Sequence, residues 1–257
     1  MENSSPIFRG SASASPRPLL SIFIPAFNAG KTLAEVVNRI PNDLWADIGI
    51  VAVINDGSVD DTEFIAKKIK EKYPKVICHS FPKNKGYGAA VRRGLGYCRE
   101  SGSQFSVCLH ADGQYPPEKL VTFISHMQRH RIDLLQGSRH LAGTAKQGGM
   151  PFYKRLAGQL LCQLENYCFG LNLTDYHSGY LVYGQKAIHS IPFEKLSGYF
   201  DFDLEVIASA CALNLKIEEL PIPTRYADEK SYLNPLRYGF KVLSVLWRYR
   251  RGYYRFS

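Results

Sequence analysis

From Leu19 onward one pattern limits what this chain can fold into: a short apolar run, a turn, an amphipathic stretch, and then the same again. Strand-length runs alternating with helix-length stretches build parallel strands joined by crossover helices, so the expected class is α/β with a mostly parallel, Rossmann-like sheet flanked by helices. Expected strands are Leu20 to Ile24, Ile48 to Ile54, Lys75 to Phe81, Phe105 to Leu109 and Asp133 to Gln136. Expected helices between them are Lys31 to Ile40, Asp61 to Lys72, Gly88 to Glu100 and Pro117 to His130. After Arg139 the texture changes. Residues 142–151 carry three glycines without apolar periodicity and read as a mobile loop. Phe152 to Phe169 then reads as helix, Tyr180 to Tyr183 as extended, Asp203 to Leu213 as helix and Lys216 to Ile222 as a further strand, followed by a polar loop from Arg225 to Asn234.

A chain of 257 residues can bury one large core without disulfide or metal staples. The expected organisation is a flexible Ser/Pro-rich tail over 1–18, a single domain over 19–233, and a basic amphipathic helix over 234–257. The formal charge is +9, and six basic residues with no acidic one fall after Leu236, leaving +3 for the rest. At 100° per residue Arg237, Lys241, Arg248, Arg251 and Arg255 share a stripe about 80° wide. Such a helix either packs on the sheet with a solvated basic face or sits on an anionic membrane surface. No apolar run approaches the ~18 to 20 residues of a membrane span. No nucleic-acid-binding module is recognisable, so nucleic acid is not an expected partner. Six cysteines without a CxxC pair, and no signal peptide, point to a cytoplasmic protein, with attachment to the cytoplasmic face of a membrane left open.

Ligands of open α/β sheets bind beyond the carboxyl ends of the strands. Three strand ends are rich in polar residues: Pro25 Ala26 Phe27 Asn28, Asn55 Asp56 Gly57 Ser58 with Asp60 and Thr62, and His110 Ala111 Asp112 Gly113 Gln114. Ser58 and Asp60 are accounted for as turn and cap residues, whereas Asp56, directly after its strand, can accept from a base or ribose. In an extended segment His110, Asp112 and Gln114 point to one side, a donor set suited to Mn²⁺ or Mg²⁺ with positions left for phosphate oxygens.

These stretches, together with Asn84 Lys85 Gly86 Tyr87 Gly88 Ala89 Ala90, Pro116 Pro117 Glu118 and Gly137 Ser138 Arg139, resemble the inverting glycosyltransferases of family 2. Within that family the chain is most similar to the dolichol-phosphate mannose synthase and polyprenyl-phosphate sugar transferase group. The resemblance runs in order from about Leu19 to Arg225. It implies the GT-A fold, a UDP- or GDP-sugar donor, a Mn²⁺ or Mg²⁺ cofactor, and a polyprenyl or dolichyl phosphate acceptor. It also implies roles. Pro25, Phe27, Asn28, Asp56, Gly86, Ala111 and Asp112 fall on the nucleotide-sugar site, and His110, Asp112 and Gln114 on the metal and diphosphate motif. Arg139, Arg155, Ser178 and Gly179 fall on the acceptor side. Arg225, Lys230 and Ser231 match a basic loop that closes over the diphosphate.

Two positions depart from the family. His110 stands where Asp is usual, and Ala29 where an acidic residue is frequent. Asp112, Asp175 and Arg139 are the expected catalytic residues. A phosphate acceptor is already ionised near neutral pH and needs no strong base, while a hydroxyl acceptor on a soluble molecule, polysaccharide or protein would need one. Asp175 is the expected base in that case, with Asp201, Asp203 and Glu205 as alternatives on a later helix. A non-catalytic nucleotide-sugar-binding protein on the same scaffold is the competing class.

Overall fold

Seven consecutive residues of the first strand, Leu20–Ala26, are almost entirely buried, which fixes it as a central strand covered on both faces. The computed structural model describes residues 18–141, 152–223 and 235–256. Among them the strands are β1 (Leu20–Ala26), β2 (Ile48–Asn55), β3 (Val76–Ser80), β4 (Phe105–Cys108), β5 (Leu134–Ser138), β6 (Leu181–Gly184) and β7 (Ile217–Pro221). The helices are α1 (Leu33–Asn38), α2 (Thr62–Lys72), α3 (Tyr87–Ser101), α4 (Leu120–His130), α5 (Phe152–Phe169), α6 (Gln185–Ser190), α7 (Phe202–Ala212) and α8 (Pro235–Arg250). The sheet order is β3-β2-β1-β4-β6-β5-β7. All neighbours are parallel except β6, which runs antiparallel to both β4 and β5. The apolar pattern locates β6 but carries no sign of its direction, because a buried strand looks the same read either way.

Two apolar layers sandwich the sheet. Ile22 and Ile24 of β1 join the layer built with Val36 of α1, Ile69 of α2 and Phe123 of α4. Phe23, pointing the other way, joins Leu95 of α3, Ile207 of α7 and Val245 of α8. The sequence-level expectation of α/β architecture therefore holds, with α6 added between β6 and α7.

The last helix packs on the domain, one of the two arrangements expected of it. Val242, Val245 and Leu246 of α8 and Tyr254 beyond it are buried in the second layer, so the helix is part of the domain. Its basic stripe is also divided. Lys241 bonds Asp201 at 2.7 Å and Arg248 bonds Glu205 at 2.7 Å, both directed inward at the start of α7. The acidic face of α7 is accordingly not solvated: Asp201, Asp203 and Glu205 are all buried. The tail through residue 17, the glycine-rich stretch 142–151, and Arg225, Lys230 and Ser231 lie outside the described residues.

Candidate active site

The carboxyl ends of β1, β2 and β4 open onto a cavity of about 910 Å³. It lies where strand order changes direction about β1, the usual ligand crevice of such sheets. Pro25, Phe27 and Asn28 from the first strand end, Asp56 from the second, Lys85 and Gly86 at the start of α3, and His110, Ala111, Asp112 and Gln114 from the fourth all line it. A volume in this range accommodates a nucleoside diphosphate sugar.

Side-chain hydrogen bonds hold these loops to one another. Asn28 sits at φ +51°, a conformation Asn tolerates, and its side chain accepts from the Val59 amide at 3.0 Å. In return the Asn28 amide donates to Ser58 Oγ at 2.9 Å and the Ala29 amide to Thr62 Oγ1 at 2.8 Å. Asn28 thus joins two strand ends in addition to lining the cavity.

Asp56 is similarly engaged. Its two oxygens accept from the amides of Lys85 at 2.7 Å and Gly86 at 3.0 Å. Burial pushes its carboxyl above the ordinary range, and those two amides pull the other way. Its place immediately after β2, read in the sequence as a contact to base or ribose, is explained first by this clamp on the turn into α3. Gly86 itself has φ +95°, and a Cβ there would approach the Gly198 carbonyl to 2.7 Å. A glycine is therefore required where the turn enters the helix.

The segment after β4 is a turn, not the extended run assumed from the sequence. Asp112 Oδ1 accepts from the Gln114 amide at 3.0 Å, closing an Asx turn. The expected one-sided alternation of His110, Asp112 and Gln114 does not exist as such, yet the turn still brings all three to the cavity wall. His110 is held by a neighbour on the same wall. Its Nε2 lies 3.2 Å from the Tyr87 hydroxyl, which donates to Asp203 Oδ2 at 2.8 Å. Burial holds the imidazole pKa below its usual value, with the Asp112 charge opposing.

Tyr87 has no role legible in the sequence, where Asp203 stands only as an alternative base. Asp203 is buried, and desolvation raises its carboxyl to about 7. Tyr199 and Phe200, which complete the cavity wall, were missed as well. Phe200 stacks on Tyr87 at 5.7 Å, and the one available signal was an aromatic pair just ahead of a helix start.

The acceptor-side residues behave differently. Arg139 makes a two-point ion pair with Asp175, Nε to Oδ2 at 2.7 Å and Nη2 to Oδ1 at 2.9 Å. Burial would raise the Asp175 carboxyl, but the Arg139 charge and hydrogen bonds outweigh it and hold the group below the ordinary carboxylate range. Asp175, at 2% exposure, is therefore ill suited to the expected role of general base. Ser178 is fully buried, and its carbonyl accepts from the Gln136 side chain at 3.0 Å. Gly179 packs so tightly against His110 that a Cβ would overlap the imidazole Nε2. Both lie behind the cavity wall rather than on an open acceptor face. Arg155 falls on α5, with its side chain outside the described portion.

Among the described residues no three His, Cys, Asp or Glu side chains cluster as a ready-made metal site. One carboxylate, one imidazole and one amide at a common wall nonetheless fit a divalent ion whose remaining positions are filled by a diphosphate.

Comparison with known proteins gives the family and the fold. Residues 21–191 match the family model described as glycosyl transferase family 2. The chain is 26% identical over 247 residues to the UDP-N-acetylglucosamine–dolichyl-phosphate N-acetylglucosaminyltransferase of Methanococcus voltae, covering 91% of this chain and 97% of that protein. It is 28% identical over 204 residues to the undecaprenyl-phosphate mannosyltransferase of Micrococcus luteus, covering 77% of this chain and 80% of that protein. Among solved structures, glucosyl-3-phosphoglycerate synthase from Mycobacterium tuberculosis, crystallised with Mn²⁺, UDP-glucose and phosphoglyceric acid, superposes with a TM-score of 0.66 at 17% identity, covering 95% of this chain and 86% of that one. That likeness shows the GT-A fold. With the family model covering most of the described sheet, the chain belongs to glycosyl transferase family 2.

Proposed function

We propose that the protein transfers a sugar, with inversion, from a nucleoside diphosphate donor to a polyprenyl phosphate at a membrane surface. The observation that carries the donor half is the cavity: nine of the residues expected at a nucleotide-sugar and metal site line it together. Solved neighbours of the same fold hold UDP with Mn²⁺ or Mg²⁺, and curated relatives act on dolichyl or undecaprenyl phosphate.

The leaving nucleoside diphosphate gathers negative charge as the bond to the anomeric carbon breaks. His110, Asp112 and Gln114 are the residues that would hold a divalent ion, which when bound stabilises that charge. Phe27 offers an aromatic face at the cavity mouth, half exposed, for the base. Backside attack by an acceptor oxygen inverts the centre.

The state of Asp175 bears on which acceptor this is. With its carboxylate paired to Arg139 and its pKa lowered, it is a poor proton acceptor, which favours an acceptor that arrives ionised. A phosphate monoester does so near neutral pH. Arg139, oriented by Asp175, would then meet phosphate.

A lipid acceptor also requires a face that can meet a bilayer. Among the described residues no helix is long and apolar enough to cross a membrane. Leu160, Leu164 and Tyr167 on α5 and Phe240, Leu243 and Trp247 on α8 are exposed, each trio spaced along one helical face. Arg250 lies 5.0 Å over the Tyr167 ring and Arg251 5.0 Å over Trp247, setting cations among the apolar groups. This combination suits peripheral attachment to an anionic leaflet.

The deciding experiment measures nucleoside diphosphate release across UDP and GDP sugars, with and without a short-chain polyprenyl phosphate in detergent, and with Mn²⁺, Mg²⁺ or chelator. Release that depends on the lipid phosphate and stops in chelator is the expected result. Equal release with a hydroxyl acceptor and none with the lipid would overturn the acceptor; release unaffected by chelator would overturn the metal.

A further inference from the structure

His110 on the cavity wall poses a problem that a carboxylate would not. Either carboxylate oxygen can ligate, but a neutral imidazole has one lone-pair nitrogen, and which one depends on its hydrogen bonds. The structure supplies such a bond from Tyr87, a neighbour of His110 on the same cavity wall. The Tyr87 hydroxyl stands between Asp203 Oδ2 at 2.8 Å and His110 Nε2 at 3.2 Å. A tyrosine hydroxyl has one proton. Asp203 Oδ1 has no hydrogen-bond partner among the described residues, so Tyr87 is the donor that solvates this buried carboxylate. With its proton directed to Asp203, the Tyr87 oxygen can only accept from the imidazole.

We propose that Tyr87 and Asp203 are positioning residues that hold neutral His110 in its Nε2–H tautomer, leaving Nδ1 as the lone-pair nitrogen of a ring that lines the nucleotide cavity. Gly179 closes on the same Nε2 edge, where its backbone is a second acceptor for the imidazole, and the Tyr115 ring lies edge-on at 4.9 Å. This is the arrangement by which ligating histidines commonly have their tautomer set: a partner behind the ring takes the second N–H. The identity of the ligand that Nδ1 meets, a divalent ion, rests on the reading given under Proposed function; the tautomer itself does not.

The test is a long-range ¹H–¹⁵N correlation spectrum of histidine-labelled protein at about pH 8, where Asp203 is ionised. The His110 signals are those lost in His110→Gln. The expected wild-type pattern is Nε2–H. Tyr87→Phe and, independently, Asp203→Asn should each raise the Nδ1–H population to a third or more. Each should also weaken Mn²⁺ binding in the presence of UDP by roughly tenfold or more, as loss of an outer partner typically does. A purely structural role would lower thermal stability and leave the tautomer pattern intact. A wild-type Nδ1–H pattern, or unchanged patterns in both folded variants, overturns the proposal. Failure of the wild type to bind Mn²⁺ or Mg²⁺ with UDP overturns the metal reading instead, while the spectrum still decides the tautomer.

Discussion

The loop beyond β4 and the chain after β5 use their charged groups in opposite directions. Asp112, His110 and Gln114 stand at the cavity wall, and Asp112 is half-buried with one oxygen engaged by its own turn. After β5 the carboxylates that looked catalytic in the sequence are turned inward: Asp175 to Arg139, Asp201 to Lys241, Asp203 to the Tyr87 hydroxyl, and Glu205 to Arg248 and the Tyr254 hydroxyl. The first set lines the cavity, and the second braces the back of the domain. Buried carboxylates with cationic partners order the back of the domain at considerable desolvation cost.

The sharpest way to break that contrast is to remove one carboxylate from each region. Asp112→Ala should lower turnover by about 10²–10³-fold or more while shifting unfolding by no more than about 1 kcal/mol, since it deletes one local hydrogen bond. Asp175→Ala should destabilise by about 3 kcal/mol, because it leaves the Arg139 guanidinium without its two-point partner. Turnover and urea unfolding of both variants check this. If Asp112→Ala proves the less stable of the two, the division between ligand-facing and bracing carboxylates is wrong.

That division also marks how far the sequence could be read. The alternation of apolar runs and amphipathic stretches located every strand to within a residue or two, because burial of both sheet faces leaves a strong local signature. The cavity residues were legible for a similar reason: strand ends are local, and Pro25, Asp56 and Asp112 each lie within three residues of the end of an apolar run. Side-chain commitments across long separations were not. Nothing near Tyr87 in the chain announces Asp203, which is 116 positions away. Nor does the stripe of cations on α8 reveal that two of them answer acids on α7. Helical periodicity gives the face a residue occupies, but the partner opposite that face is a property of the fold.

A third prediction sharpens the contrast through pH. Asp203 has a carboxyl raised from 3.8 to about 7 by burial. Between those values the folded protein keeps a proton that the unfolded chain has released, so raising pH favours unfolding. The contribution is fully present below about 4 and is lost as pH rises through 7. Asp203→Asn cannot ionise and should escape that loss. Its stability relative to wild type should therefore grow by roughly 2–4 kcal/mol from pH 4 to pH 8. Thermal or urea unfolding across that range reads the gap; a gap constant with pH would mean that Asp203 is solvated in some way its hydrogen bonds do not show.

The smallest expected effect separates the two kinds of cation on the last helix. Arg250 and Arg251 lie over exposed aromatic rings on the outer face, whereas Lys241 and Arg248 are paired inward. A polybasic segment gains ~1 kcal/mol per residue near an anionic surface, and only a side chain that can reach the surface contributes. Replacing both Arg250 and Arg251 with Gln should weaken sedimentation with phosphatidylserine vesicles by roughly tenfold at low salt. Lys241→Gln should leave vesicle binding within about twofold and lower stability by up to ~1 kcal/mol, as for a pair that is partly solvated. Salt should weaken the wild-type attachment without abolishing it, since Phe240, Leu243 and Trp247 contribute an apolar term that screening does not reach. If Lys241→Gln reduces vesicle binding as much as the outer pair does, inward pairing does not withdraw these cations from the surface, and the helix acts as a single basic stripe.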